Sequence, residues 1–280
     1  MRDTPAQQCA FHADSGFALL IVLWILVLIA FITMHVTVAG RTEVRIATNL
    51  AANAVAQAAA DGAIFEAIFN LSDPRPDHRW MLDGRLHELQ IGNSRITLRV
   101  EDETGRINPN LASTALLEGL LRAVGSEPET AAALAAAIKE WVGSTPVRRT
   151  AGELLEEYRA AGLKYGPPAS PLESIDELAR VREMSTQLLE ELRPHLSLFS
   201  PATPNPASLD PLVVAAIALS GDGAVTAVPS APVGNQLVTA RILATALGPG
   251  NAETARAAIV RIGQVSGMGY SLLTWENEVK

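Results

Sequence analysis

The feature that most constrains this chain is an uncharged apolar run near its N-terminus. From Ser15 to Gly40 there is no Asp, Glu, Lys or Arg. As a helix, the 24 residues from Phe17 to Gly40 would extend roughly 36 Å, enough to cross a bilayer core with some tilt. A cleaved secretory signal has a shorter apolar region and a small-residue cut site after it, whereas Ser15-Gly16 precedes this run. The run therefore predicts a transmembrane helix over residues 17–40.

The helical signal continues beyond this run. Arg41 to Phe69 contains no proline and is rich in alanine, a strong helix former. Apolar residues recur at helical spacing, namely Val44, Ala47, Ala51, Val55 and Ala58. The simplest prediction is one helix from Phe17 to near Asn70, about 80 Å long, with half in a membrane and half lying against a globular domain. The alternative is an anchor followed by a separate amphipathic helix.

The rest of the chain predicts a mixed α and β structure. Leu86–Asp102 reads as a β-hairpin around a Gly-Asn-Ser turn, because apolar and polar residues alternate in its second half. Residues 111–200 carry apolar residues at helical spacing and predict an all-α block. A proline-rich linker then leads to a helix in LDPLVVAAIAL. Three candidate strands follow at 237–246, 255–262 and 269–275, although ALAT and ARAAIV are also compatible with helix.

Composition and motifs argue against nucleic-acid binding and catalysis. The net charge is −8, and residues 101–200 alone carry ten basic and sixteen acidic residues, which repels DNA. The five histidines have no metal-binding spacing, no serine has a nucleophile-elbow context, and no glycine-rich loop follows a strand. The single cysteine, Cys9, precedes Gly16. We expect no enzyme activity and no nucleic-acid partner.

The leader and helix resemble those of type IV pilins and type II secretion pseudopilins. In those proteins a short leader ends in Gly, usually followed by Phe and an apolar helix, and a prepilin peptidase cuts after the Gly. The resemblance implies that Gly16 is the last leader residue and that Phe17 is the mature N-terminus, usually N-methylated. The leader departs from the family because Arg2 is its one basic residue, against two aspartates.

A second departure makes the resemblance more specific. Most pilins and pseudopilins have Glu at the fifth mature position, where a carboxylate in lipid needs a partner, and it pairs with the N-terminal amine of the preceding subunit. Here that position is Ile21, which suits the first subunit of a filament. This absence is typical of the general secretion pathway protein K family. The helical block, the turn in EDETGRINPN, and the segments AGLKYGPPASPLESIDEL and LRPHLSLFS also resemble that family.

Calcium is the open metal question. The carboxylates Glu101, Asp102 and Glu103 could supply oxygen ligands, although charged residues at a strand end are more often only solvated. The K family is associated with calcium near a W-x-D-x-D motif. In this chain Trp141 is followed by Gly143 and Thr145 in place of the two aspartates, and Glu153 and Glu156 lie in the next helix. We therefore assign no metal site and no cofactor, with calcium left as a possibility.

Together these observations predict an α+β, pilin-like fold: a long N-terminal transmembrane and amphipathic helix packed on a small antiparallel sheet, with an inserted all-α domain. The predicted parts are a leader (1–16), a transmembrane helix (17–40), the first part of the pilin-like domain (41–110), the all-α insert (111–200) and the second part (201–280).

The resemblance implies a minor pseudopilin in the inner membrane, single-pass, with its C-terminal domain in the periplasm. Its partners would be other minor and major pseudopilins, prepilin peptidase and membrane lipid. Gly16 and Phe17 are the expected processing residues and Ile21 the expected assembly residue. The alternatives are a minor pilin-like subunit of another type IV filament, or a membrane-tethered periplasmic binding protein.

Overall fold

The structure, a computed structural model, describes residues 15–75, 77–144, 151–205, 210–221, 237–263 and 269–278. The leader residues 1–14 and Thr145 lie outside these ranges.

The first element is one long helix. Helix α1 runs without interruption from Ser15 to Leu71, 57 residues, which at 1.5 Å per residue is about 86 Å. Its sequence contains no proline, so nothing breaks the backbone hydrogen bonding. The prediction of a single continuous helix is confirmed, and the alternative of two separate helices is wrong.

A five-stranded antiparallel sheet follows, in the order β1-β2-β3-β4-β5. The strands are β1 (Asp83–Ile91), β2 (Ser94–Asp102), β3 (Val238–Leu247), β4 (Glu253–Ile262) and β5 (Tyr270–Glu278). The predicted hairpin is confirmed as β1 and β2, with Ile91 paired to Ser94 across the turn. The three C-terminal strands are also confirmed, and the ambiguous alanine-rich segments are strands because they pair along their whole length.

The five α-helices that the structure describes after α1 all lie between β2 and β3 in sequence. They are α2 (Thr114–Ala123), α3 (Pro128–Trp141), α4 (Ala151–Ala160), α5 (Thr186–Leu192) and α6 (Pro211–Ser220). Side-chain caps fix several starts: Ser113 accepts a hydrogen bond from the backbone N–H of Leu116, and Asp210 from that of Leu212. The α+β class and antiparallel sheet are thus confirmed.

Two hydrophobic clusters form the interior. One lies among α2, α3 and the segments around them, and includes Leu120, Leu134 and Trp141. The other lies between the second half of α1 and one face of the sheet, and includes Ile64 and Ile242. Strands β2 and β3 pair directly, with Val100 opposite Ile242, although all the helices α2–α6 separate them in sequence.

The chain passes between the two clusters at a hydrogen-bonded crossing, which we call the clasp, residues 102–108 and 195–205. Ile107 forms a parallel bridge with Leu196. The side-chain amide of Asn108 donates to the carbonyl of Ser200 (2.8 Å), and the Ser200 hydroxyl donates to the carbonyl of Glu103 (2.6 Å). The outgoing and returning segments are therefore tied together where they leave the sheet.

Candidate assembly interface

The first half of α1 presents an apolar surface with no covering element among the described residues. Every side chain that the structure describes from Phe17 to His35 is exposed. Exposure reaches 69% for Phe17 and 73% for Trp24. Burying such a surface releases about 25 cal/mol per Å², so a long exposed apolar helix indicates a lipid or protein contact.

The predicted processing and assembly residues lie at the start of this surface. Gly16 is within α1, and Phe17 and Ile21 are one helical turn apart. Ile21 is 45% exposed. One shallow apolar groove is lined by Phe17, Leu20, Ile21, Trp24, Ile25 and Leu28. Ile21 therefore contributes a hydrocarbon side chain to a continuous apolar face.

Two polar side chains described in the apolar segment contact residues one turn earlier in the same helix. The Thr33 hydroxyl is 2.9 Å from the carbonyl oxygens of both Ile29 and Ala30, to which it donates. His35 stacks on Phe31, with ring centroids 5.8 Å apart.

Among the described residues, no helix is both long enough and apolar enough to cross a membrane.

The second half of α1 has one face buried against the sheet and a second, apolar face that is exposed. Its buried residues, which lie against the sheet, are Ala56, Ala59, Ala60, Ala63, Ile64, Ala67, Ile68 and Leu71. The apolar series noted in the sequence, from Val44 through Ala51 to Ala58, is instead exposed. Phe65 and Phe69 continue it and are 47% and 70% exposed. The helical spacing of Val55, Ala58, Phe65 and Phe69 was a signal for this second face.

The three acidic residues at the end of β2 have partners within the chain. A Glu101 carboxylate oxygen lies 3.1 Å from an Arg106 guanidinium nitrogen. Asp102 accepts hydrogen bonds from the backbone N–H and the hydroxyl of Thr104, at 2.9 and 2.6 Å. Glu103 is only 1% exposed, and this burial raises the pKa of its carboxyl. The Glu101 and Asp102 carboxylates therefore hold the turn that begins the clasp, and Glu103 is buried within it.

The region that follows Trp141 offers no space for the first aspartate of the family motif. Gly143 has φ +70°, and a Cβ built there would lie 2.6 Å from a neighbouring backbone carbonyl oxygen. Glu153 and Glu156 lie on α4, where Glu156 forms an ion pair with an arginine of the same helix at 2.8 Å. Within the described ranges, no group of three or more His, Cys, Asp or Glu side chains could hold a metal ion.

Comparison with known proteins agrees with this architecture. Residues 92–201 match the family model described as type II secretion system (T2SS), protein K. A chain of the crystal structure of the GspK-GspI-GspJ complex from the enterotoxigenic Escherichia coli type 2 secretion system matches with a TM-score of 0.57 and 15% identity. That match covers 85% of this chain and 100% of that chain. No curated protein matches the sequence.

The long helix, the antiparallel sheet and the helices between its strands define an α+β protein. Within that class, the chain is similar to protein K of the type II secretion system. The resemblance to the general secretion pathway protein K family is confirmed, and the match lies over the second strand, the helices α2–α5 and most of the clasp.

Proposed function

We propose that this chain is a minor pseudopilin of type II secretion, a structural subunit that lies at the tip of the pseudopilus and starts its assembly. The match of residues 92–201 to the protein K family model supports this function. So does the fold likeness to a chain from the GspK-GspI-GspJ complex. The observation that carries the proposal is the exposed apolar first half of α1, joined without a break to the half that is seated on the sheet.

Membrane insertion of residues 17–40 is part of this proposal. The sequence supports it, since no charged residue occurs between Ser15 and Gly40. The exposed side chains of Leu19–His35 would be covered by lipid before assembly and by neighbouring helices after it. We expect the chain to remain in the inner-membrane fraction after alkaline carbonate extraction, with residues 41–280 digested by protease added to the periplasmic side. Release by carbonate would contradict insertion.

Processing is the next part. We propose that prepilin peptidase removes residues 1–16 and leaves Phe17 as an N-methylated terminus. Intact-mass measurement of the purified chain, from cells with and without that peptidase, tests this directly. We expect the mature mass only when the peptidase is present, and loss of processing in Gly16→Leu but not in Ser15→Ala. A Met1 terminus in cells that contain the peptidase would contradict the proposal.

The position in the filament follows from Ile21 and from the helical insert. Without a carboxylate at position 21 the subunit cannot neutralise the N-terminal amine of a preceding subunit, and the bulk of residues 111–200 would clash with neighbours inside a shaft. We propose that two other minor pseudopilins complete the tip and that major pseudopilins follow. The machine would then help to export folded proteins across the outer membrane.

Changing Ile21 to Glu tests this position. At the tip the new carboxylate would have no preceding amine to pair with and would be costly in lipid. We expect Ile21→Glu to lower secretion, with Ile21→Leu as the neutral control. Full secretion by Ile21→Glu, with the variant present at the normal level, would count against the tip position.

The domain limits remain a proposal. We place the helical insert at 111–200, although α6, which follows those limits, also packs on the helical cluster through Val213 and Ala216. Residues 41–110 and 201–280 would then form the pilin-like head.

A further inference from the structure

Residues 165–172, which we call the strap, follow α4 and form neither helix nor strand. The strap contains three prolines, Pro167, Pro168 and Pro171. Each proline ring fixes its own φ angle, so the segment is stiff and has few alternative conformations. A stiff segment of this kind is positioned by the points at which it is attached to the rest of the chain.

The first attachment is a cluster of three aromatic rings. Tyr165, at the start of the strap, lies edge-on to Trp141 of α3, with ring centroids 6.2 Å apart. Its ring is also 6.0 Å from that of Tyr158 on α4, and the Trp141 and Tyr158 rings are 6.3 Å apart. Trp141 and Tyr158 are buried, whereas Tyr165 is partly exposed. Edge-on and tilted ring pairs are favourable at these separations, so the rings join the strap to both helices.

The second attachment is a close contact between two backbone segments. Gly143 follows α3 with φ +70°, and a Cβ there would lie 2.6 Å from the carbonyl oxygen of Ala169 and 3.1 Å from its Cα. Ala169 itself has φ +52°, a conformation that an alanine keeps only where its surroundings fix it. The middle of the strap therefore lies directly on the backbone of Gly143, in space that a side chain at position 143 would need.

The third attachment is a pair of hydrogen bonds at the end of the strap. The side-chain amide nitrogen of Asn110 donates to the carbonyl of Leu172 (3.1 Å), and the Leu172 N–H donates to the side-chain oxygen of Asn110 (2.8 Å). Both polar backbone groups of the buried Leu172 are thus satisfied. The residues that make these three attachments carry no charge.

We propose that these attachments hold the strap on the helices and that this part of the fold keeps its conformation without bound calcium. The related family is associated with calcium near W-x-D-x-D, and Gly143 stands where that motif has its first aspartate. An aspartate side chain at position 143 would have to displace Ala169, so a calcium ligand there and the backbone contact exclude each other. The inference concerns the single chain and does not depend on the proposed function.

Proteolysis at one lysine measures whether the strap is in place. Endoproteinase Lys-C cuts after lysine, and the chain contains three lysines, Lys139, Lys164 and Lys280. Lys164 immediately precedes the strap, and the fragment masses identify cleavage at this site. The protease must draw residues on both sides of the bond into its active site, so cleavage requires the start of the strap to leave the aromatic cluster.

We expect the full-length chain, purified in detergent, to be cut after Lys164 at the same rate in EGTA and in calcium at several millimolar. Calcium sites of extracellular modules are largely occupied at such concentrations. Cleavage that calcium slows would overturn the proposal, because it would show that an ion holds the strap in place.

Gly143→Ala tests the backbone contact. The added methyl group would push against Ala169, and we expect cleavage after Lys164 to become about tenfold faster. Gly221→Ala is the matched control, because Gly221 also follows a helix, has φ +67°, and has nothing within 4 Å of a built Cβ. It carries the same backbone strain without the contact, so its rate should stay close to that of the natural chain. Equal rates in the two variants would overturn the proposal.

Asn110→Ala replaces Gly143→Ala if that variant does not fold. Loss of both hydrogen bonds to Leu172 should also speed cleavage after Lys164, whereas Asn53→Ala, at an exposed position of α1, should not. An unchanged rate in Asn110→Ala would show that this attachment does not hold the strap, and would overturn the proposal in the same way.

Discussion

At the scale of single residues, Glu103 is the most informative group. It is buried at the start of the clasp, with Oε2 3.6 Å from Nε of Arg106. Burial raises its pKa; Arg106, Ser197 and Arg241 oppose that effect, and Glu101 adds to it. The folded state therefore holds this proton more tightly than the unfolded state does. Its contribution to the free energy of unfolding is lost as pH rises from the ordinary glutamate range through the raised pKa.

This linkage predicts a pH-dependent effect of Glu103→Gln. Glutamine does not ionise, so the variant should gain stability relative to the natural chain as pH rises through that window, and the difference should then level off. Guanidinium denaturation at a series of pH values, with Glu173→Gln as an exposed control, measures the difference. Curves for Glu103→Gln and the natural chain that stay parallel across the whole series would show that the burial of Glu103 has no such consequence.

Gly119 is a second residue with a defined constraint. A Cβ at this position of α2 would lie 2.3 Å from the carbonyl oxygen of Ala216 on α6. We expect Gly119→Ala to force the two helices apart and to lower the free energy of unfolding by about 1–3 kcal/mol. Gly166→Ala is the control, because a Cβ there would meet only ordinary contacts of 3.4 Å. Equal stability of the two variants would contradict the close packing of α2 on α6.

At the scale of elements, α1 is the helix whose two faces must be distinguished. Ala60 is fully buried against the sheet, and Ala58 is exposed on the other side. We expect Ala60→Leu to overpack the interface and cost about 1–3 kcal/mol, whereas Ala58→Leu should change stability by less than about 0.5 kcal/mol. Thermal unfolding of the two variants side by side checks this. If Ala58→Leu lost more stability than Ala60→Leu, the face of α1 that contains Ala58 would be the one packed on the sheet, contrary to the structure.

The same helix shows which elements sequence could predict. Its length and continuity follow from the absence of proline and the abundance of alanine, and both were predicted. Its buried face could not be assigned, because alanines occur on both faces and hydrophobicity does not distinguish Ala58 from Ala60. Alanine also made β3 and β4 ambiguous between strand and helix in the sequence. These alanine-rich segments are strands because they pair with neighbouring strands, and the pairing of β3 with β2 joins segments distant in sequence.

At the scale of the whole molecule, the clasp joins the two hydrophobic clusters. The Asn108 side chain is 3% exposed and donates to the carbonyls of Leu198 (2.9 Å) and Ser200 (2.8 Å). We expect Asn108→Ala to leave two buried acceptors unpaired and to cost about 1–3 kcal/mol, against almost nothing for the exposed Asn53→Ala. Chemical denaturation gives the comparison. Identical midpoints would mean that the clasp does not hold the clusters together.

The overall assembly of these parts was only partly predictable. The sheet, the helical block and the linker were each visible as patterns. The clasp depends on hydrogen bonds between residues about ninety positions apart, such as Asn108 and Ser200, and no local pattern encodes them. The carboxylates of Glu101 and Asp102 make contacts within this turn, and Glu103 is buried in it. A sequence pattern cannot distinguish this arrangement from a cation site.

We propose that the exposed apolar first half of α1 bundles with the same helix of other subunits, and that the rest of this chain is accommodated only at the end of the filament. Immunogold labelling of an epitope at the C-terminus of this chain, on pseudopili assembled in cells that overproduce the major subunit, tests it most directly. We predict gold at one end of each filament and none along the shaft. Gold distributed along the shaft would contradict the account.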